Sequence, residues 1–371
     1  MRIVIDYRPA LRERTGVGEY VHQLARALRQ LYPDDSLTLF SSSWKDRPGP
    51  ALTNVIPGAQ LSDHRVPVSV LNLLWHRAEW PRIELLTGAA YDIAFSPHPL
   101  LLPARAAQVV MVHDLDFLTH PERAQREIRR DYPRLAADHA QRARAVIVPS
   151  EYTRGEVQQQ LRVPGERIVV CSPGIPEWRA SAAGFRRDGY VLFMGSLERR
   201  KNIAGLLTAY SRIAEGWSRV PRLVLAGRPG SDIAEVLDRT RQSPLAGHVD
   251  QLGYVADSKR QDVLEGARVL VLPSLEEGFG MPALEAMSLG IPVVVSARGA
   301  LPEVVGDAGL VFEPTDEAAL FDALSRVLTD DDLAQRLGSR GRERARSFSW
   351  HRTAMKVRTA FAAALERRAD Q

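Results

Sequence analysis

The sequence predicts an α/β protein built from two Rossmann-like units, each a parallel sheet with helices on both faces. Three observations carry this expectation. A length of 371 residues exceeds one ordinary core and makes two domains the default. A composition of 45% hydrophobic and 25% charged residues fits a globular chain. Short apolar runs alternate with helical patterns in both halves, which implies parallel strands joined by crossover helices. In the first half, strands are predicted at residues 2–7, 36–41, 91–96, 109–113 and 145–149. The helix at 18–31 sets Val21, Leu24, Ala25, Leu28 and Leu31 on one face. In the second half, strands are predicted at 189–194, 222–226, 249–252, 269–273, 291–296 and 309–312. Helices are predicted there at 203–215, 232–240, 257–265, 282–289 and 317–329. The polar, aperiodic stretch 177–187 marks a linker, so the domains are 1–180 and 188–349, with the final helical segment 350–371 returning to the first. Facing units of this kind leave a cleft at the carboxyl ends of both sheets, where such sheets bind ligands.

Composition excludes several function classes. The single cysteine, Cys171, permits no disulfide within the chain and no Cys-rich metal site. The start, Met1-Arg2-Ile3-Val4-Ile5-Asp6, turns acidic too soon for a signal peptide, and no apolar run approaches the roughly 18 residues of a membrane span. A cytoplasmic protein is therefore expected. Formal net charge is +4 and the pI about 9.3. Arg123, Arg126, Arg129, Arg130, Arg134, Arg142 and Arg144 form one basic stretch with two readings. One is a solvated helix face. The other is a surface that meets an anionic membrane or a pyrophosphate-linked acceptor, making the protein peripheral at the inner face of the membrane. No basic motif interleaved with aromatics occurs, so no nucleic-acid partner is expected. His98 and His120 lack partners at ligand spacing, so no metal is expected. Neither an esterase elbow nor a phosphate-binding Gly-Lys-Ser/Thr loop is present.

The most informative motif is Glu277-Gly278-Phe279-Gly280-Met281-Pro282-Ala283-Leu284-Glu285. It follows an apolar run closed by Pro273 and enters a helix with Pro282 in its first turn, where a missing N–H costs nothing. Strand, tight turn and helix start together aim free backbone N–H groups at one spot, which suits an anion. Carboxylates beside such a spot suit the hydroxyls of a sugar, because a carboxylate accepts two hydrogen bonds from a diol. The motif reads as a clamp for a phosphorylated sugar. Gly195-Ser196-Leu197-Glu198-Arg199-Arg200-Lys201-Asn202 follows the first strand of the second unit. Cations at a strand end can stabilise a departing diphosphate without a metal, which singles out Lys201 and Arg200.

Taken together, the Arg/Lys loop and the two glutamates eight residues apart resemble glycosyltransferase family 4, with the GT-B fold. The resemblance covers nearly the whole chain. Asp6-Tyr7-Arg8 with Thr15-Gly16-Val17-Gly18-Glu19-Tyr20 is similar to the mannosyltransferase-like branch, as are Val112-His113-Asp114-Leu115-Asp116-Phe117 and Pro149-Ser150-Glu151-Tyr152-Thr153. It implies a nucleotide-sugar donor, no cofactor, no essential metal and retention of anomeric configuration. Lys201 matches the family's diphosphate-binding lysine. Ser196 stands where the family often has arginine, and Arg200 takes that place. Glu285 holds the donor ribose and Glu277 the transferred sugar. The backbone of Gly278, Phe279 and Gly280 meets sugar and phosphate, with Gly195 and Ser196 on the facing loop. Gly253-Tyr254-Val255 contacts the nucleobase, and His113 contacts the transferred sugar, with a neutral imidazole able to donate to a hydroxyl.

Gly16 and Gly18, on the loop after the first strand, have two readings: a loop near the donor phosphates, or an ordinary helix-opening turn. The third glycine of a dinucleotide-binding pattern is absent, since Val21 stands there. Asp114 and Asp116 read as a strand-end turn and helix cap, and Ser150 as a helix cap.

The expected function is a retaining, metal-independent transfer of a hexosyl group, with a lean to mannosyl from a GDP-sugar. The acceptor is a glycan or lipid-linked sugar in polysaccharide biosynthesis. Alternatives are a phosphorylase or synthase on the same fold, a nucleotide-sugar epimerase, and a silent nucleotide-sugar-binding subunit.

Overall fold

The computed structural model describes the chain except residues 12, 13, 15, 50, 51, 124, 125, 180–183, 231, 232, 370 and 371. Thr15 of the first motif, the start of the helix predicted at 232 and the middle of the 177–187 linker lie outside the described residues. Two compact units are present: Met1–Gly174 with Ser349–Gln371, and Ile175–Phe348.

Unit one holds seven strands: β1 (Arg2–Asp6), β2 (Ser36–Ser42), β3 (Gln60–His64), β4 (Ile93–Ser96), β5 (Ala107–Met111), β6 (Ala145–Val148) and β7 (Ile168–Val170). They form one sheet in the order β3-β2-β1-β4-β5-β6-β7, parallel throughout. The central strands are continuously apolar because helices cover both faces. Ile3, Ile5, Ile93 and Phe95 pack on one side with Leu24 and Leu28 of the helix Gly16–Leu31. The C-terminal helix Trp350–Ala369 joins the same cluster through Trp350, Ala354, Val357 and Phe361.

Unit two holds β8 (Tyr190–Met194), β9 (Leu223–Ala226), β10 (Val249–Gly253), β11 (Ala267–Leu272), β12 (Val293–Ser296) and β13 (Leu310–Phe312). Its order is β10-β9-β8-β11-β12-β13, again parallel. Each sheet reverses its strand order once, beside its first strand: between β1 and β4, and between β8 and β11. Ligands of open α/β sheets bind at such switch points, outside the carboxyl ends of the strands.

Three elements differ from the expectation. β3 and β7 are sheet-edge strands: the first is polar with no buried residue, and the second, Ile168-Val169-Val170, is apolar but only three residues long. The helix Asp331–Ala345 was hidden because its buried face is small: Ala334, Gly338, Gly341 and Ala345, with Leu337 alone large. An added Cβ on Gly338 would lie 2.2 Å from the Gly290 carbonyl oxygen, so this helix needs glycine to approach the loop. Among the described residues no helix is long and apolar enough to cross a membrane.

Candidate active site

The switch point of unit two gathers the charged residues of both motifs. After β8 the chain makes a short 3-10 turn, Arg199–Lys201, then enters the helix Ile203–Gly216. Asn202 caps that helix in a left-handed conformation, accepting from the Gly205 N–H at 3.3 Å, and its amide donates to the Pro314 carbonyl at 2.9 Å. After β11 the loop from Ser274 runs to Gly280, which opens the helix Met281–Ser288 with φ of 95°. The two loops are tied by the Leu275 N–H donating to the Arg200 carbonyl at 2.8 Å.

Here Lys201 Nζ donates to Glu277 Oε2 at 2.5 Å, with both side chains largely buried. The Ser274 hydroxyl donates to the same oxygen at 3.1 Å. Burial pushes the Glu277 carboxyl up, but the charges of Lys201 and Arg200 and these hydrogen bonds outweigh it and hold it below its ordinary value. Burial, aided by the Arg200 charge, pulls the Lys201 ammonium below its ordinary value, with Glu277 acting the other way. Arg200 Nε donates to Glu198 at 3.0 Å. The site therefore holds a buried lysine beside a helix start, paired with an acid three residues after Ser274.

The Glu277 segment is fixed by a third loop. The Ala300 N–H donates to the Glu277 carbonyl at 2.9 Å, and Gly299, with φ of 60°, lies so close that an added Cβ would sit 2.1 Å from that oxygen. Phe279 turns into the core, edge-on to Phe348 at 5.8 Å, and Gly278 and Gly280 on either side of it are buried as well. Glu285 lies on the following helix, 4% exposed, and receives the Arg260 Nε–H at 2.7 Å. Tyr254 and Val255 follow Gly253 at the end of β10. The Arg228 guanidinium lies 5.8 Å from the Tyr254 ring centroid, and Val255 packs on the core. Gly195 follows β8 with Ser196, and its carbonyl is packed against Gly227.

Three predicted residues belong to unit one. Gly16 and Gly18 lie in the first turn of the helix Gly16–Leu31, which agrees with the helix-opening reading and not with a loop before the helix. Gly18 is needed for packing, since a Cβ there would meet the Pro9 carbonyl oxygen at 2.5 Å. His113 lies two residues past β5, edge-on to Tyr20 at 5.6 Å. Burial first, then the neighbouring His98, lowers its pKa to about 3, against a hydrogen bond to the Pro97 backbone. Proline offers only a carbonyl, and Nε2 is buried without a partner, so Nδ1–H is the donor to Pro97. The imidazole is neutral, with its Nδ1–H held by the Pro97 carbonyl and Nε2 left as an acceptor.

Asp114 makes the turn after β5, accepting from the Asp116 N–H at 3.3 Å, but the helix Asp116–Thr119 is capped at Leu115 without a side-chain bond. Ser150 caps the helix Glu151–Gln160, accepting from the Thr153 N–H at 3.1 Å. In the basic stretch, Arg142 pairs with Glu79 and Asp138, and Arg130 with Asp131, which favours the structural reading for those two. The side chains of Arg123 and Arg126 lie outside the described residues. Among the described residues no group of three metal-ligating side chains occurs.

Sequence reasoning missed Ser274, Arg260 and Gly299. Ser274 directly follows the strand-closing Pro273 and was legible from position. Arg260 sits in a charged helix, Asp257–Glu265, and nothing local points it at Glu285.

Comparison with known proteins agrees with this geometry. Residues 174–344 match the family described as Glycosyl transferases group 1, and residues 14–179 match Glycosyltransferase Family 4. The chain is 31% identical to the O-antigen chain mannosyltransferase B of Escherichia coli over 94% of its own length and 96% of that protein's. It is 29% identical to the serotype-specific mannosyltransferase WbdA of Escherichia coli over 66% of this chain and 32% of that one. Among solved structures, sucrose-phosphate synthase from Thermosynechococcus elongatus superposes with a TM-score of 0.76 at 22% identity, covering 98% of this chain and 99% of that one. Two parallel α/β units, a lysine and glutamate meeting at the switch point of the second, and a full-length relative lead to one assignment: the chain belongs to glycosyltransferase family 4, with the GT-B fold, and is a glycosyltransferase.

Proposed function

We propose that this glycosyltransferase moves a mannosyl group from GDP-mannose, or a related GDP-hexose, to a glycan acceptor in polysaccharide biosynthesis, with retention and without a metal. The observation that carries the reading is the buried Lys201–Glu277 pair at the switch point of unit two. The mannosyl lean is supported by the names of the two Escherichia coli relatives. In this reading the donor diphosphate lies over the helix start at Gly280, where the positive end of the helix dipole favours an anion. Lys201 and Arg200 stabilise the charge that develops on it. The bond from the anomeric carbon to the diphosphate oxygen breaks, and the acceptor oxygen bonds to that carbon on the same face. The departing oxygen takes the acceptor's proton, so no side chain need act as a strong nucleophile. Glu277 orients the transferred sugar, and Glu285 accepts from the ribose hydroxyls.

Two variants test the assignment of roles. Lys201→Ala removes a contact that strengthens as the bond breaks, so turnover should fall about 10²-fold or more. Glu285 is assigned to the nucleotide and not to the bond that breaks, so Glu285→Ala should weaken donor binding while leaving turnover at saturation nearly intact. Steady-state kinetics with GDP-mannose and a mannose oligosaccharide read both. Near-normal turnover of Lys201→Ala, or an unchanged donor Kd for Glu285→Ala, would refute the respective role.

A further inference from the structure

Unit one contains a cavity of about 680 Å³ at its own switch point. It opens over the carboxyl ends of β1, β2 and β4, where Asp6, Ser43, Ser96 and the residues just beyond them line it. The helix Val68–Ala78 closes one side with Asn72, Trp75 and His76. Its volume falls within the range of about 300–1,000 Å³ that small-molecule sites occupy.

The cavity floor is built. Asp6, 2% exposed, holds Arg8 through two side-chain bonds, from Nε at 2.8 Å and from Nη2 at 2.6 Å. Arg8 Nη1 donates to the Asn72 amide oxygen at 2.9 Å, and its guanidinium stacks 4.7 Å over Trp75. These bonds fix the Asn72 amide with its nitrogen as the donor end. At the rim stands Trp44, 70% exposed, a large aromatic surface that the core does not claim.

The charge pattern selects the ligand class. Asp6 and Asp46 face Arg8 and Lys45, and His76 is bonded to Asp131 at 3.0 Å. The signs balance, and the buried carboxylate beneath Arg8 opposes a phosphate. A ligand with one apolar face and a ring of hydroxyls matches an exposed indole above fixed donors and acceptors.

We propose that this cavity is a subsite for an uncharged saccharide segment of the acceptor, with Trp44 as the stacking platform and Asp6, Arg8 and Asn72 as its polar floor. The proposal rests on the reading of the chain as an enzyme that extends a glycan. It assigns the acceptor's specificity to its sugars, not to a pyrophosphate.

The test is equilibrium binding by the full chain of mannotriose, maltotriose and inorganic pyrophosphate, read by saturation-transfer NMR, beside the melting shift produced by GDP. At least one trisaccharide should bind the parent protein. Trp44→Ala should weaken it roughly tenfold, the scale of one aromatic contact, and Trp44→Phe should restore it to within roughly threefold. Lack of trisaccharide binding, or binding indifferent to Trp44, overturns the proposal. So does pyrophosphate binding that is lost in Lys45→Ala while no trisaccharide binds. A GDP shift without trisaccharide binding overturns the cavity assignment alone, and Trp44-dependent trisaccharide binding without any nucleotide shift overturns the donor reading alone.

Discussion

Three histidines of unit one are held neutral by burial. His22 shares a hydrogen bond with the Tyr7 hydroxyl at 2.7 Å, and burial lowers its pKa to about 3. His113 is lowered to about 3 for the same reason. His139, also lowered by burial, accepts the Leu101 N–H on Nδ1 at 3.0 Å, a bond that a protonated ring cannot make. In the unfolded chain these imidazoles take up protons near pH 6.5, whereas burial in the folded unit moves that uptake to lower pH, to about 3 for His22 and His113. The unfolded state therefore binds more protons in this window, and stability falls as pH drops below about 6.5. Melting temperature should decline between pH 7 and 5, before most carboxylates titrate, and His22→Gln should flatten that slope. A flat profile in the parent protein would contradict the burial account. At this scale the meeting of Lys201 and Glu277 was legible, because both lie on loops that follow neighbouring strands of unit two. The His113 tautomer was not legible, because it depends on the Pro97 carbonyl, sixteen residues away.

The Glu277 loop depends on its neighbours more than on its own residues. Gly299, on the loop after β12, has φ of 60° and no room for a side chain against the Glu277 backbone. Gly299→Ala should cost about 1–2 kcal/mol from the left-handed conformation alone, and more from the displaced carbonyl. It should also loosen Glu277 against Lys201, so that a lower urea midpoint is accompanied by weaker donor binding. A variant as stable as the parent would show that the loop does not need the close approach. Strand existence in the sheet interiors was legible because runs such as Val269-Leu270-Val271-Leu272 are buried on both faces. The polar edge strand β3 and the glycine-faced helix Asp331–Ala345 were not, since a hydrophobic pattern exists only where large side chains are buried, and β7 was not because its apolar run is only three residues long.

Across the whole molecule, unit one is completed by the last segment of the chain. Phe361 of the helix Trp350–Ala369 is fully buried, 5.6 Å from Phe95 of β4. Arg358 reaches Asp35, which also holds the amino terminus at 2.5 Å. Phe361→Ala should destabilise unit one by about 3–5 kcal/mol, visible as an earlier unfolding transition by calorimetry. An unaltered transition would mean that the helix is an accessory. The central claim is that the switch point of unit two holds a nucleotide-sugar donor without a metal. Its most direct test is the melting temperature of the full chain with GDP-mannose in EDTA. Binding at 100-fold over Kd stabilises by about 2.7 kcal/mol, which shifts melting by several degrees. The account predicts that shift in the parent protein and its loss at the same ligand concentration in Glu285→Ala. No shift with GDP-mannose, or with any other nucleotide or nucleotide sugar, would contradict it.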